Sequence, residues 1–172
     1  MAKRMTARGS RLARIAAALF LTTAAACASP EERVAKYTES GMAYLEKGDL
    51  GRANVQLQNA LKINEEHVPA LVGLSDISEK RQDFPGMFAI LQRIIRLEPQ
   101  NVDAQIKIGK VYLIGGDETA ALESAEAALA LAPESSDALA LKAAVFLKLD
   151  NAPGAVELAK RALALDPLNT EA

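Results

Sequence analysis

The chain repeats itself every 34 residues, and that period fixes most of what it can fold into. Asp49, Asp83, Asp117 and Asn151 stand 34 apart. Each follows a residue of turn or linker type: Gly48, Gln82, Gly116 and Asp150. Asp and Asn are strong N-caps, because the side-chain oxygen accepts a hydrogen bond from a free N–H of the first helical turn. Pro85 and Pro153 follow two residues on, within the first turn, where a missing N–H costs little. Each of these positions is therefore read as the start of a helix.

Other columns agree on the same frame. Pro99, Pro133 and Pro167 are 34 apart, each with Leu two positions earlier (Leu97, Leu131, Leu165). Ala53, Ala121 and Ala155 share one column, and Ala60, Ala128 and Ala162 another. Tyr44, Tyr112 and Phe146 form an aromatic column, and Gly41, Gly109 and Ala143 a small one. The units run 34–67, 68–101, 102–135 and 136–169, and residues 170–172 begin a fifth. A repeat of this length is one helical hairpin that cannot bury its apolar face alone, so neighbours must stack. Composition agrees: half the chain is apolar, aromatics are only 4% and there is no Trp. Ala and Leu dominate, which favours close-packed helices over sheet.

This column pattern resembles the tetratricopeptide repeat: small residue, aromatic, Gly-Asp turn, Ala, Ala-Leu, then Pro. The segments GMAYLEKGDLGRANVQLQNALKI and GKVYLIGGDETAALESAEAALALAP carry it best. The resemblance implies an all-α fold, a right-handed superhelix of eight helices alternating A and B, whose work is to bind protein. Repeat 2 departs most, with Ser78 in the aromatic column and Met87 and Ile94 in the two Ala columns. One site shrinks while two grow, as conserved core volume requires, so Met87 or Ile94 is expected to fill what Ser78 vacates. Reshaping for a partner is the other reading. Repeat 1 has Glu65 where the closing Pro belongs.

The N-terminus reads as an address. Residues 1–26 carry Lys3, Arg4, Arg8, Arg11 and Arg14 with no acid, then the short apolar run Ile15 to Thr23, then Ala24-Ala25-Ala26. Charged, apolar, small is the order of an export signal. The run is much shorter than the roughly 20 residues a spanning helix needs. The small residues stand directly before Cys27, the single cysteine, and resemble a lipobox. That resemblance implies lipid attachment at Cys27, a tether over residues 27–33, and a membrane contact made through lipid alone. Ala28 after the Cys resembles the outer-membrane sorting signal of Gram-negative lipoproteins, which implies a chain facing the periplasm. Ala24 to Ala26 also suits an ordinary small-x-small cleavage site, which would release the protein to the periplasm. Without the signal the chain has 15 basic and 22 acidic residues, a net of −7. That acidic body argues against a nucleic-acid partner.

No catalytic constellation, metal set or cofactor motif is read. His67 is the single histidine, and Glu65, Glu66 and His67 are adjacent turn residues that point apart, whereas a metal needs three or four convergent ligands. Gly115-Gly116 lacks the Lys and spacing of a phosphate loop and reads as the turn between helices A and B. What remains is a surface. The family resemblance implies a ligand groove lined by A helices, at Thr38, Met42 and Leu45, then Val72, Asp76 and Glu79, then Ile106, Lys110 and Leu113, then Ala140, Ala144 and Leu147. The apolar share of that set suggests an apolar or amphipathic segment of another envelope protein. The set lacks the cluster of Lys, Arg and Asn with which some members grip a C-terminal carboxylate.

Helix B of repeat 4 is expected to leave part of the stripe Ala155, Val156, Ala159, Ala162 and Leu163 uncovered, because arrays of this kind close with a polar-faced helix. A longer array or a partner over that end is the expectation. The function so read is a non-catalytic scaffold or assembly factor, anchored in the cell envelope. It is similar in organisation to tetratricopeptide lipoproteins of exopolysaccharide, exosortase and pilus-assembly systems. Two alternatives stand: the regulatory repeats of a longer enzyme with its catalytic domain past residue 172, or a soluble periplasmic chaperone.

Overall fold

Eight helices in sequence make up the computed structural model, which describes residues 28–172. They are α1 (Pro30–Glu46), α2 (Leu50–Ile63), α3 (Val68–Lys80), α4 (Phe84–Leu97), α5 (Val102–Gly115), α6 (Glu118–Leu131), α7 (Ser136–Lys148) and α8 (Ala152–Leu165). Odd-numbered helices are the A members of hairpins and even-numbered ones the B members. Each helix packs on its sequence neighbours, and α1 also meets α3 as α5 meets α7. Cys27 and residues 1–26, where an export signal is expected, lie outside the described residues.

Each A–B turn is built the same way. The N–H groups of Asp49, Asp83, Asp117 and Asn151 donate to the carbonyls of Tyr44, Ser78, Tyr112 and Phe146, at 2.8–2.9 Å. This is the six-to-one closure of a helix C-terminus, and it needs a left-handed residue just before the donor. Gly48 and Gly116 supply it at φ 75° and 78°; Gln82 and Asp150 are forced into it at φ 56°. The same Asp and Asn side chains then cap the next helix, accepting from the N–H of Arg52, Gly86, Ala120 and Gly154 at 2.9–3.1 Å. One residue thus ends helix A and starts helix B.

The B–A joints have a second cap column that sequence reading passed over. Asn101, Ser135 and Asn169 accept from the N–H of Ala104, Ala138 and Ala172 at 2.9–3.2 Å. His67 holds the same place without a side-chain bond, which disguises the column. Glu98, Ala132 and Asp166 turn extended ahead of their prolines, as the proline ring demands. Asn64 does so without a proline, at φ −134°, so Glu65 leaves the joint unchanged. The first helix also starts earlier than expected. The span 27–33 was read as a tether, but Ser29 and Glu32 form a reciprocal capping box that begins α1 at Pro30.

Small residues set the hairpin spacing. Helices α1 and α2 approach so closely at Gly41 that a Cβ there would stand 2.6 Å from Leu57 Cγ. At Gly109 it would stand 2.6 Å from Leu141 Cδ2 and 3.1 Å from Ser124 Cβ. Ala53, Ala60, Ala121, Ala128 and Ala162 are wholly buried beside them. In repeat 2, Ser78, Met87 and Ile94 are all buried. Phe88, one residue past Met87, meets Tyr112 edge-on at 5.2 Å. The apolar interior forms three clusters, with Tyr112 packed against the first two and Leu129 against the last two.

Gly41→Ala is expected to cost about 1–3 kcal/mol by overpacking, despite alanine's better helix propensity. Gly115→Ala meets open space and is expected to be neutral or to gain up to about 1 kcal/mol. Gln82→Gly relieves a left-handed non-glycine residue and is expected to stabilise by about 1 kcal/mol. Urea unfolding of the three variants beside the wild type checks all of these.

Candidate functional site on the A-helix face

Helices α1, α3 and α5 together form a groove of about 690 Å³, lined by Met42, Leu45, Glu46, Asp76, Glu79, Lys80 and Lys107. Four of these residues, Met42, Leu45, Asp76 and Glu79, were expected from their place in the repeat. Met42 and Leu45 supply the apolar floor, and Leu45 is mostly covered by the first core cluster. The remaining lining is charged. It combines three carboxylates with two ammonium groups.

Lys107 is the residue that sequence reading missed. It lies on α5 one position after Ile106, facing α3 across a joint where the two backbones do not approach closely. Its Nζ donates to Asp76 and, at 3.2 Å, to Glu79. Burial opposes the lysine charge, but the two carboxylates outweigh it and hold the ammonium above the ordinary lysine pKa. Behind this strut lies a smaller cavity of about 200 Å³, lined among others by Val72, Ser75, Leu91, Ile94 and Ala104. The signal was present: a lysine one helical turn from Asp103, with Asp76 and Glu79 one repeat earlier, at separations of 31 and 28.

Several expected groove residues lie elsewhere. Thr38 is buried, its hydroxyl donating to the Val34 carbonyl at 2.9 Å, so it offers nothing to a partner. Ile106 is buried in the second cluster and Ala140 in the third. The causes differ: Ala140 packs among α7 and α8 residues with Ala172 close by. Ile106 is covered where α5 meets α7. Lys110 is half-buried and paired with Glu171 of the C-terminal turn, at 2.6–2.7 Å. Leu113 is half-buried against the second cluster. Ala144 is half-buried, and Leu147 is 59% exposed. His67 begins α3. Among the described residues no three His, Cys, Asp or Glu side chains converge as a metal set would.

Residues 89–133 and 106–170 match the sequence profile of the tetratricopeptide repeat. The fold is a tetratricopeptide-repeat solenoid. Solved structures of the same architecture include MamA, with a TM-score of 0.70 at 22% identity over 81% of each chain. YrrB, described as a tetratricopeptide protein with an unusual peptide-binding site, gives 0.69 at 20% identity, over 80% of this chain and 71% of that one. PilF of Pseudomonas aeruginosa gives 0.70 at 20% identity, over 80% and 63%. At these identities the likeness is one of fold. The curated protein NPGR1 of Arabidopsis thaliana is 30% identical over 94 residues, which is 54% of this chain but only 14% of that protein. A peptide-binding site is thus recorded on another protein of this fold.

Lys107→Met removes the strut and leaves Asp76 and Glu79 without it. The expected loss is about 1 kcal/mol at neutral pH. Because the folded lysine pKa is raised, the gap between wild type and variant is full below the ordinary lysine value. It closes as pH rises through the higher folded value. Melts of both proteins from pH 7 into the alkaline range check the sign.

Proposed function

We propose that this chain is a non-catalytic interaction scaffold of the bacterial cell envelope, holding an amphipathic segment of another envelope protein in its A-helix groove. One observation carries the binding part: an apolar floor of Met42 and Leu45 set inside a rim of Glu46, Asp76, Glu79, Lys80 and Lys107. A segment that lays apolar side chains on the floor and polar ones on the rim suits that arrangement. The acidic majority of the rim favours a cationic group beside Glu46 and Glu79. YrrB's peptide-binding site on the same fold supports a peptide ligand. The envelope part rests on the basic, apolar and small-residue order of residues 1–26 before Cys27. In this reading Cys27 carries the lipid and the repeats face the periplasm.

In-cell crosslinking of the full chain, followed by identification of what is captured, tests the groove. Met42→Glu and Glu79→Lys are each expected to lower capture about tenfold, as loss of a central contact does. Val55→Glu, on the exposed face of α2, is expected to leave capture unchanged. Unaltered capture by both groove variants, with helical circular dichroism intact, would sink the groove reading. For the anchor, fatty-acid labelling is expected in the wild type and absent in Cys27→Ser; label that survives the substitution overturns it.

A further inference from the structure

Charge is divided along the B helices. Helices α2 and α4 carry Arg52, Lys62, Arg93 and Arg96 and no acid, whereas α6 carries Glu118, Glu123 and Glu126 and no base. In a body with 15 basic and 22 acidic residues, the first two repeats therefore present a cationic B-helix side. Between α2 and α4 that side opens into a cleft of about 510 Å³, with α3 beneath it. Leu61, Leu71 and Leu74 form its buried bed, and half-buried Ile90 and exposed Ala89 continue it along α4. Lys62 stands on the α2 wall and Arg93 on the α4 wall.

The 34-residue columns set this joint apart from the two that follow it. The Lys62 column continues as Arg96 and Ala130, and the Arg93 column as Ala127 and Arg161, so the first joint alone has a cation on both walls. The Ala89 column turns to Glu123 and Glu157. At the third joint Lys142 Nζ reaches from α7 to Glu126 on α6, at 2.8 Å. The first joint has Leu74 and Gln58 in those two columns, which cannot make that ion pair. Lys62 and Arg93 take part in no ion pair among the described residues. Arg93 Nη2 donates instead to the backbone carbonyl of Glu65, which lines the cleft where later repeats have proline.

We propose that this cleft is a second binding site, which receives an acidic amphipathic segment of a partner protein. An aliphatic side chain of the segment lies over Ile90 and the leucine bed, and its carboxylates reach Lys62 on one wall and Arg93 on the other. The segment thus supplies from outside the charged bridge that the third joint makes within the chain. The Glu65 carboxylate opposes it and steers the incoming acids away from the α2–α3 turn. An anionic membrane is the weaker occupant, because Arg93 is half-buried and the apolar bed lies below the rim, where a flat surface does not reach. The acidic α6 of a second copy is weaker too, because Glu126 is already paired with Lys142. The cleft shares no lining residue with the A-helix groove, so the two sites can fail independently.

The test uses the full chain carrying Cys27→Ser and two labelled synthetic peptides, at about 0.15 M salt so that distant charges are screened. One peptide is an amphipathic sequence of leucine and glutamate, and its twin has lysine for each glutamate. Fluorescence anisotropy is expected to show the glutamate peptide binding about tenfold more tightly than its twin. Lys62→Glu and Arg93→Glu are each expected to weaken it about threefold to tenfold, as reversal of one surface pair does. Ala89→Glu puts in the cleft the residue that repeats 3 and 4 carry in that column, and is expected to weaken it as much without disturbing the helix. Glu65→Gln is expected to tighten binding about twofold. Arg96→Glu, on α4 outside the lining, and Glu79→Lys, in the groove, are expected to leave it within about twofold. No binding of the glutamate peptide, or a loss in Arg96→Glu equal to that in Lys62→Glu, overturns the proposal. Binding to phosphatidylglycerol vesicles that Lys62→Glu removes, with the peptide unbound, overturns it in favour of a membrane. Concentration-dependent self-association that Lys62→Glu removes overturns it in favour of a second copy.

Discussion

Everything in this array hangs on a single backbone closure made four times. An N–H reaches back five residues to the carbonyl of Tyr44, Ser78, Tyr112 or Phe146, and the side chain of that same residue caps the next helix. The closure turns the chain within three residues and brings the second helix back beside the first. Only then do the small residues meet their partners, Gly41 at Leu57 and Gly109 at Ser124. A looser turn would move those contacts out of register and expose both apolar stripes. The backbone conformation is required strongly enough that Gln82 and Asp150 adopt it without glycine's freedom.

Packing then follows from neighbours alone. No helix makes close contact beyond the next member of its own kind. The interior accordingly divides into three clusters joined through Tyr112 and Leu129. Stability in such an array is a sum of unit and joint contributions. The first cluster holds Leu, Ile and Met side chains, whereas the second and third lean on alanine. The C-terminal half therefore has less apolar area per joint to bury.

The frame was legible because its signals are local. An Asp or Asn N-cap and a following Pro each act within one turn of helix, so their spacing shows directly in the sequence. The second cap column was less legible because it uses three residue types and is silent at His67. Ser29 and Glu32 fell outside the 34-residue frame, and the helical start at Pro30 went with them. Groove membership was the hardest part to read. Position in a repeat says which side of helix A a residue occupies, but not how closely the next A helix approaches. Thr38, Ile106 and Ala140 occupy the right side and are still buried. Lys107 was overlooked because its importance depends on the distance between two helices, which no single repeat encodes.

The Lys107 strut has a mechanical meaning. Helices α1 and α3, and likewise α5 and α7, approach closely along their backbones. Helices α3 and α5 stand further apart: α4 packs against both, and on the groove side Lys107 bridges them on a flexible stem. Contact packing is stiff, whereas an ion pair with water access yields over a longer distance and answers to salt. The groove wall at this joint is thus closed by a charged bridge, while the first apolar cluster runs behind it from α1 to α5. A ligand whose own cation competes for Asp76 or Glu79 would displace the Lys107 ammonium as it bound, so the groove would exchange one ion pair for another on being filled.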